Sequence, residues 1–116
     1  MWLLNATTKH IKAFLPDKVP DSGYAILSHT WDPDPDNEVL FSDFEASGGD
    51  RASLPTAQLK RSWRKIELAC GQTLADKYNW IWVDTCCIDK SSSSELSEAI
   101  NSMYAWYRDS AVCYAL

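Results

Sequence analysis

The chain has 116 residues, 46% of them hydrophobic, with six Trp, five Tyr and a formal net charge of −5. That length holds one domain with a modest core, and such hydrophobicity is globular rather than disordered. The acidic balance leaves no electrostatic footprint for duplex nucleic acid or anionic lipid, so neither is an expected partner.

The charge is uneven. Residues 1–58 carry nine acids and four bases, whereas residues 59–116 carry seven of each, and seven acids lie between Asp32 and Asp50, where there is no Lys or Arg. No apolar run approaches the roughly 18 residues of a membrane span. The N-terminal MWLLNATTKH lacks the basic start and long apolar core of a secretion signal. Cys70, Cys86, Cys87 and Cys113 include no C-x-x-C pair. Adjacent Cys86 and Cys87 would alternate faces on a strand, which suits neither a routine disulfide nor a zinc site. They read as reduced thiols in a cytoplasmic protein that holds no metal.

In chain order, Trp2–Leu4 and Ile11–Leu15 are short apolar runs separated by N-A-T-T-K-H. They predict a small hairpin at the domain edge, closed by Pro16 and Pro20. Tyr24–Ser28 (YAILS) is continuously apolar, as a strand buried on both faces of a parallel sheet must be. Asp32–Asn37 is a turn, because two prolines deny it helix or ladder bonds. Glu38–Phe44 fits a short strand or one helical turn, and Ala46–Pro55, with Gly48 and Gly49, a loop. From Thr56 to about Lys77, Leu59, Trp63, Ile66, Cys70 and Leu74 form one apolar helical stripe. Gly71 interrupts it, at about 1 kcal/mol relative to Ala. Trp80–Val83 is a second buried strand. Leu96, Ile100, Met103 and Tyr107 mark a helix from about Ser93 to Arg108, and Ala111–Ala115 is a third strand. Strand and helix alternating in this way demand a parallel sheet with right-handed crossovers. The final AVCYAL has no turn or cap behind it, which reads as a piece of a longer protein cut after its last strand.

Asp84 directly follows W-I-W-V, so its carboxylate is expected at the C-terminal edge of the sheet, where open α/β sheets bind ligands. An Asp there also suits a turn cap. Ser92-x-x-Glu95 matches a capping box, and the helix dipole favours an acid in a first turn. The other reading of Glu95 is a carboxylate in the cleft beside Asp84. Glu98 reads as a solvated face residue. Ser28 and His29 end the first buried strand, so they share the sheet edge with Asp84, either binding a ligand or satisfying a strand end. Their adjacency argues against a Ser–His–Asp triad. Lys60, Arg61, Arg64 and Lys65 recur at helical spacing and read as a solvated face rather than a steering patch for an anionic ligand. Cys86 and Cys87 have no base fixed nearby in sequence to lower a thiol pKa, so burial is their default. The chain has no G-x-G-x-x-G and no Walker motif, so the usual phosphate-cradling loops are absent.

Three blocks, Y-A-I-L-S-H-T-W (Tyr24–Trp31), W-I-W-V-D-T-C-C-I-D-K (Trp80–Lys90) and the stretch from Ser93 to Ala115, closely resemble the heterokaryon incompatibility (HET) domain of filamentous fungi. The resemblance spans residues 1–116 as one domain, and family members usually continue past the final strand. It implies programmed cell death after non-self recognition, and a fold like that of Toll/interleukin-1 receptor (TIR) domains. That fold is α/β, a flavodoxin-like parallel sheet with flanking helices and here a small N-terminal β-hairpin. Many TIR domains cleave NAD+ at the nicotinamide–ribose bond with a glutamate at the sheet's C-terminal edge. By position that glutamate falls on Glu95, with Glu98 the alternative. The serine–tryptophan–cysteine lead-in of TIR domains is replaced here by a four-serine turn. The resemblance therefore implies an NAD+ glycohydrolase with Glu95 and Asp84 catalytic, and Ser28, His29, Trp31 and Cys86 binding substrate. NAD+ is then the substrate, with no separate cofactor. Self-association and a sensor domain or partner protein in the full-length chain are also implied. The alternative is a non-enzymatic signalling module acting through self-association.

Overall fold

The computed structural model describes residues 1–15, 18–45 and 60–115. The strands are β1 (Trp2–Asn5), β2 (Ile11–Ala13), β3 (Ala25–Ser28), β4 (Trp80–Val83) and β5 (Val112–Ala115). The helices are the short α1 (Phe41–Glu45), then α2 (Trp63–Ala75) and α3 (Ser93–Asp109), with a 3-10 turn at Pro35–Asn37. The strands form one sheet in the order β2-β1-β4-β3-β5. The three parallel strands run β4-β3-β5, second-first-third in sequence, which is how the flavodoxin-like order begins. The hairpin does not stand apart from them. β1 pairs antiparallel with β4, so the sheet is mixed, with its parallel part at the centre and one edge.

The register assigns the two faces. Ile26 lies beside Trp82 and Cys113, while Leu27 lies beside Val83 and Tyr114. Trp82 is fully buried and meets Trp106 and Tyr107 of α3 edge-on, at centroid distances of 5.7 and 6.0 Å. Tyr24, two residues before Ile26, donates its hydroxyl to the Trp106 carbonyl at 2.6 Å. On the other face Tyr114 donates to the Gln72 carbonyl of α2. The two long helices therefore cover opposite faces, as a doubly wound sheet requires. Between them β3 and β4 are the most buried strands, which is what their unbroken apolarity dictates.

The helices exist where their periodicity puts them, but the buried stripes differ. In α2 the inward residues are Trp63, Ile66, Ala69, Cys70 and Thr73, and Leu74 is exposed. In α3, Ala99 is buried, Leu96, Met103, Trp106 and Tyr107 pack on the core, and Ile100 is 63% exposed. Helix α2 starts at Trp63, after a turn at Lys60–Ser62. Residues 56–59, with Leu59 of the expected stripe, and the expected loop at Ala46–Pro55 lie outside the described residues. α2 stops in a Schellman motif: Lys77 adopts φ 70°, Tyr78 N–H reaches the Thr73 carbonyl, and Lys77 N–H reaches Leu74. Of the two forms expected for Glu38–Phe44, the helical turn is the one present. Among the described residues no helix is long and apolar enough to cross a membrane.

Candidate functional site

At the C-terminal edge of β3 and β4 the backbone delivers His29 and Asp84 to neighbouring positions. His29 Nε2 lies 3.0 Å from Asp84 Oδ1, and Trp31 Nε1 donates to Asp84 Oδ2 at 2.9 Å. The His29 side chain is 1% exposed and that of Asp84 25%. On its far side, His29 Nδ1 lies 2.9 Å from Lys65 Nζ, which also donates to the Thr30 carbonyl at 2.6 Å. A carboxylate only accepts and an ammonium only donates, so the imidazole carries its proton on Nε2 and accepts at Nδ1.

The chain of contacts continues inward. Lys65 Nζ is 3.5 Å from Oε1 of the buried Glu38, which also accepts from the Asp32 backbone N–H. Four groups thus form one chain of contacts that alternates in sign or polarity: Glu38, Lys65, His29 and Asp84. Burial pushes the Asp84 carboxyl up, but the hydrogen bonds from His29 and Trp31 and the nearby Lys90 charge outweigh it, and the net shift is down. Asp84 is therefore a fixed, ionised carboxylate at neutral pH, with part of its surface open.

The segment opposite is laced to the start of α2. Lys60 Nζ donates to the Glu38 carbonyl and pairs with Asp43, Arg61 pairs with Asp32, and Ser62 Oγ accepts from Val39 N–H. The basic cluster expected as a solvated face instead fixes residues 29–43 against the helix through Lys60, Arg61 and Lys65. This anchoring forms a cleft beside Asp84. One part, of about 170 Å³, is lined by Trp31, Asp32, Pro35, Glu38, Leu40, Thr85 and Lys90. A neighbouring part, of about 200 Å³, is lined by Leu40, Phe41, Thr85, Ile88, Lys90 and others. Lys90 Nζ sits over the Trp31 ring, 3.9 Å from its centroid. Thr85 is buried in the wall of both parts, and its hydroxyl is sealed from solvent without a partner among the described residues.

Glu95 takes a different place. Its backbone N–H meets the Ser92 hydroxyl at 3.4 Å, which is half of a capping box, while its side chain accepts from Trp2 Nε1 at 2.8 Å. The returning half of the box is replaced by a link to β1. Glu95 and Glu98 line a narrow hollow of about 20 Å³ with Met1, Trp2 and Cys87. Ile88 and Asp89 form the wall shared by this hollow and the adjoining cleft.

The structure brings His29, Trp31 and Asp84 together. Ser28 is exposed at the same edge and interacts with the Tyr107 hydroxyl. Cys86 is fully buried, and its interaction with Cys87 and burial push its thiol far up, so it is a neutral core group rather than a surface of the cleft. All four cysteines are free. Four groups at the site carry no local sequence signal: Glu38, Lys65, Thr85 and Lys90. The residue type alone, a Lys among helical bases, pointed outward for Lys65.

The profile of a family described as "Heterokaryon incompatibility protein (HET)" matches residues 24–116. Vegetative incompatibility protein HET-E-1 of Podospora anserina is 48% identical over 97 residues, covering 84% of this chain. The chain spans only 6% of the length of that protein. No solved structure gives a significant match.

Proposed function

Since the chain belongs to the heterokaryon incompatibility family, we propose that it is an effector domain of fungal non-self recognition and cell death that cleaves NAD+ at the nicotinamide–ribose bond. The observation that carries this reading is the ionised Asp84, held by His29 and Trp31 at the C-terminal edge of parallel strands, with Trp31 and the next residue, Thr85, lining the adjoining cleft. Nicotinamide departs as a neutral group from a positively charged glycosylic nitrogen, so no acid is needed to protonate it. The ribose left behind is oxocarbenium-like, and an oriented carboxylate stabilises that charge until water attacks the anomeric carbon. The water's proton is released, and the products are ADP-ribose and nicotinamide.

Asp84 is the carboxylate proposed for this electrostatic role, and Glu95 is the second catalytic candidate. For Glu95 to reach the same ligand, the Ile88–Asp89 wall must move and its bond to Trp2 must be released. Exposed Ser28 and Trp31 are the proposed ribose or phosphate and base contacts, while His29, buried and bonded at both ring nitrogens, acts by positioning Asp84. The test is expression of the chain in fungal cells while viability and cellular NAD+ are followed. The expected result is joint loss of both with the wild type, and recovery of both with Asp84→Asn. NAD+ unchanged in dying cells would overturn the enzymatic reading.

A second reading, self-association without catalysis, rests on β5. Among the described residues β5 pairs only with β3, and Leu68, Ile100 and Tyr104 on the flanking helices are exposed. Leu68 lies beside Cys113–Ala115 of that strand, and an open strand edge or exposed apolar side chains offer a surface for pairing. On this reading toxicity survives Asp84→Asn and is lost with Leu68→Asp or Tyr104→Asp.

A further inference from the structure

We propose that the exposed face of Trp31 is a binding platform for a planar organic cation, and that Lys90 occupies this platform in the free protein as an internal competitor. The inference starts from an anomaly of exposure. Trp31 is 51% exposed, yet its ring is aimed, because Nε1 is bonded to Asp84 Oδ2. A surface indole held in one orientation presents a constant π face. Lys90 Nζ lies on that face at 3.9 Å, well inside the roughly 6 Å reach of a cation–π contact.

The surroundings select for positive charge. Asp32 and Glu38 line the cleft at Trp31 but are already paired with Arg61 and Lys65. The selecting charges are Asp84, which holds the ring, and Asp89 of the neighbouring part, which is in no ion pair among the described residues. Among the described residues, Lys90 is the one cationic residue in either lining. Apolar wall comes from Pro35, Leu40, Phe41 and Ile88, beside the hydroxyl residues Ser42, Thr85 and Ser91. Leu40, Thr85 and Lys90 line both parts of the cleft, so swinging the flexible Lys90 stem off the indole joins them into one slot.

A lysine ammonium is a compact, strongly hydrated charge on a mobile stem. It gains little from the apolar walls. A ring cation spreads its charge, sheds water more readily and adds stacking area against the indole. The same acidic, π-faced slot therefore favours a pyridinium over the residue that fills it. The inference deepens the reading of the site as an NAD+ site, since the nicotinamide ring of NAD+ is a planar cation, but its test needs no turnover.

The test compares 1-methylnicotinamide, a permanent pyridinium, with its neutral isostere nicotinamide. Binding to the chain is followed by isothermal titration calorimetry and, in proteins that keep Trp31, through its indole N–H resonance, identified by its loss in Trp31→Leu. The expected result is tighter binding of the cation than of the neutral ring, about tenfold tighter cation binding in Lys90→Met, and no saturable binding in Trp31→Leu. Thermal unfolding of each variant verifies that it is folded. Equal binding of the two rings, weaker cation binding in Lys90→Met, or no response of the Trp31 resonance in either protein would overturn the inference. Cation binding as expected with no NAD+ cleavage sinks the enzymatic reading alone. NAD+ cleavage without a cation preference sinks this one alone.

Discussion

Lys65→Met removes one ammonium and leaves three acceptors behind. The Thr30 carbonyl at 2.6 Å, His29 Nδ1 at 2.9 Å and the buried Glu38 carboxylate at 3.5 Å all lose their donor. A bond to a charged group contributes about 1.5–3 kcal/mol, and orphaning one partner of a fully buried ion pair costs about 3–5 kcal/mol. The Glu38 side chain is 5% exposed but that of Lys65 is 27% exposed, so water recovers part of the loss. The expected destabilisation is about 2–3 kcal/mol, on the order of a 10 °C fall in Tm at this chain length. Lys65→Arg keeps the charge and several donors, and should recover at least half. Urea unfolding followed by circular dichroism gives the energies. The nitrogen chemical shifts of the His29 ring give the tautomer, which is Nε2–H in the wild type and mixed in Lys65→Met. A Lys65→Met variant within about 0.5 kcal/mol of wild type, with the His29 tautomer unchanged, would refute the argument that Lys65 orders the site.

Three further outcomes follow from other contacts. Asp84 is held below the ordinary carboxylate range, so its charged form favours the folded state. That contribution is complete above its unfolded value of about 4 and fades as pH falls through its lower folded value. The stability gap between wild type and Asp84→Asn should therefore shrink from pH 7 to pH 2, and a gap that stays constant in urea midpoints contradicts the assignment. Tyr24→Phe deletes the link from β3 to the Trp106 carbonyl and should cost about 1 kcal/mol. Because burial and the Asp109 charge push the Tyr24 hydroxyl up to about 12, wild type should lose stability as pH rises from about 10 through that value, and Tyr24→Phe should lose less. Lys77→Gly should stabilise by about 0.5–1 kcal/mol, since Lys77 sits at φ 70° where glycine carries no strain; unchanged or reduced thermal stability would count against it.

The central strands were legible because YAIL and WIWV are unbroken apolar runs, which only a strand covered on both faces explains. The helix α3 was legible as an element but not in its rotation. Stripes written 96-100-103-107 and 96-99-103-106 both satisfy helical spacing, and the burial of Ala99 against the exposure of Ile100 settles the rotation. The hairpin was legible locally. Its pairing with β4 was not, because Leu4 and Ile81 meet only in the folded chain. At the site, the C-terminal edge rule located Asp84 and His29 from the strand ends alone. It gave no access to Lys65, which lies 36 residues from His29, nor to Trp2, which lies 93 residues from the Glu95 it binds. The helical charge pattern around Lys65 is that of a solvated face, and only the approach of the 29–43 segment converts it into a site wall. The capping motif at Ser92 was readable as a helix start, but not the partner its glutamate selects.

Nicotinamide release from NAD+ by the purified chain, measured beside Asp84→Asn, tests the proposed chemistry most directly. Loss of an oriented carboxylate at the reacting ribose predicts measurable release by the wild type and a fall of about 10²–10³-fold in the variant, with the fold of the variant intact. Release that Asp84→Asn leaves undiminished, or its absence from the wild type in every assembly state, would contradict the account.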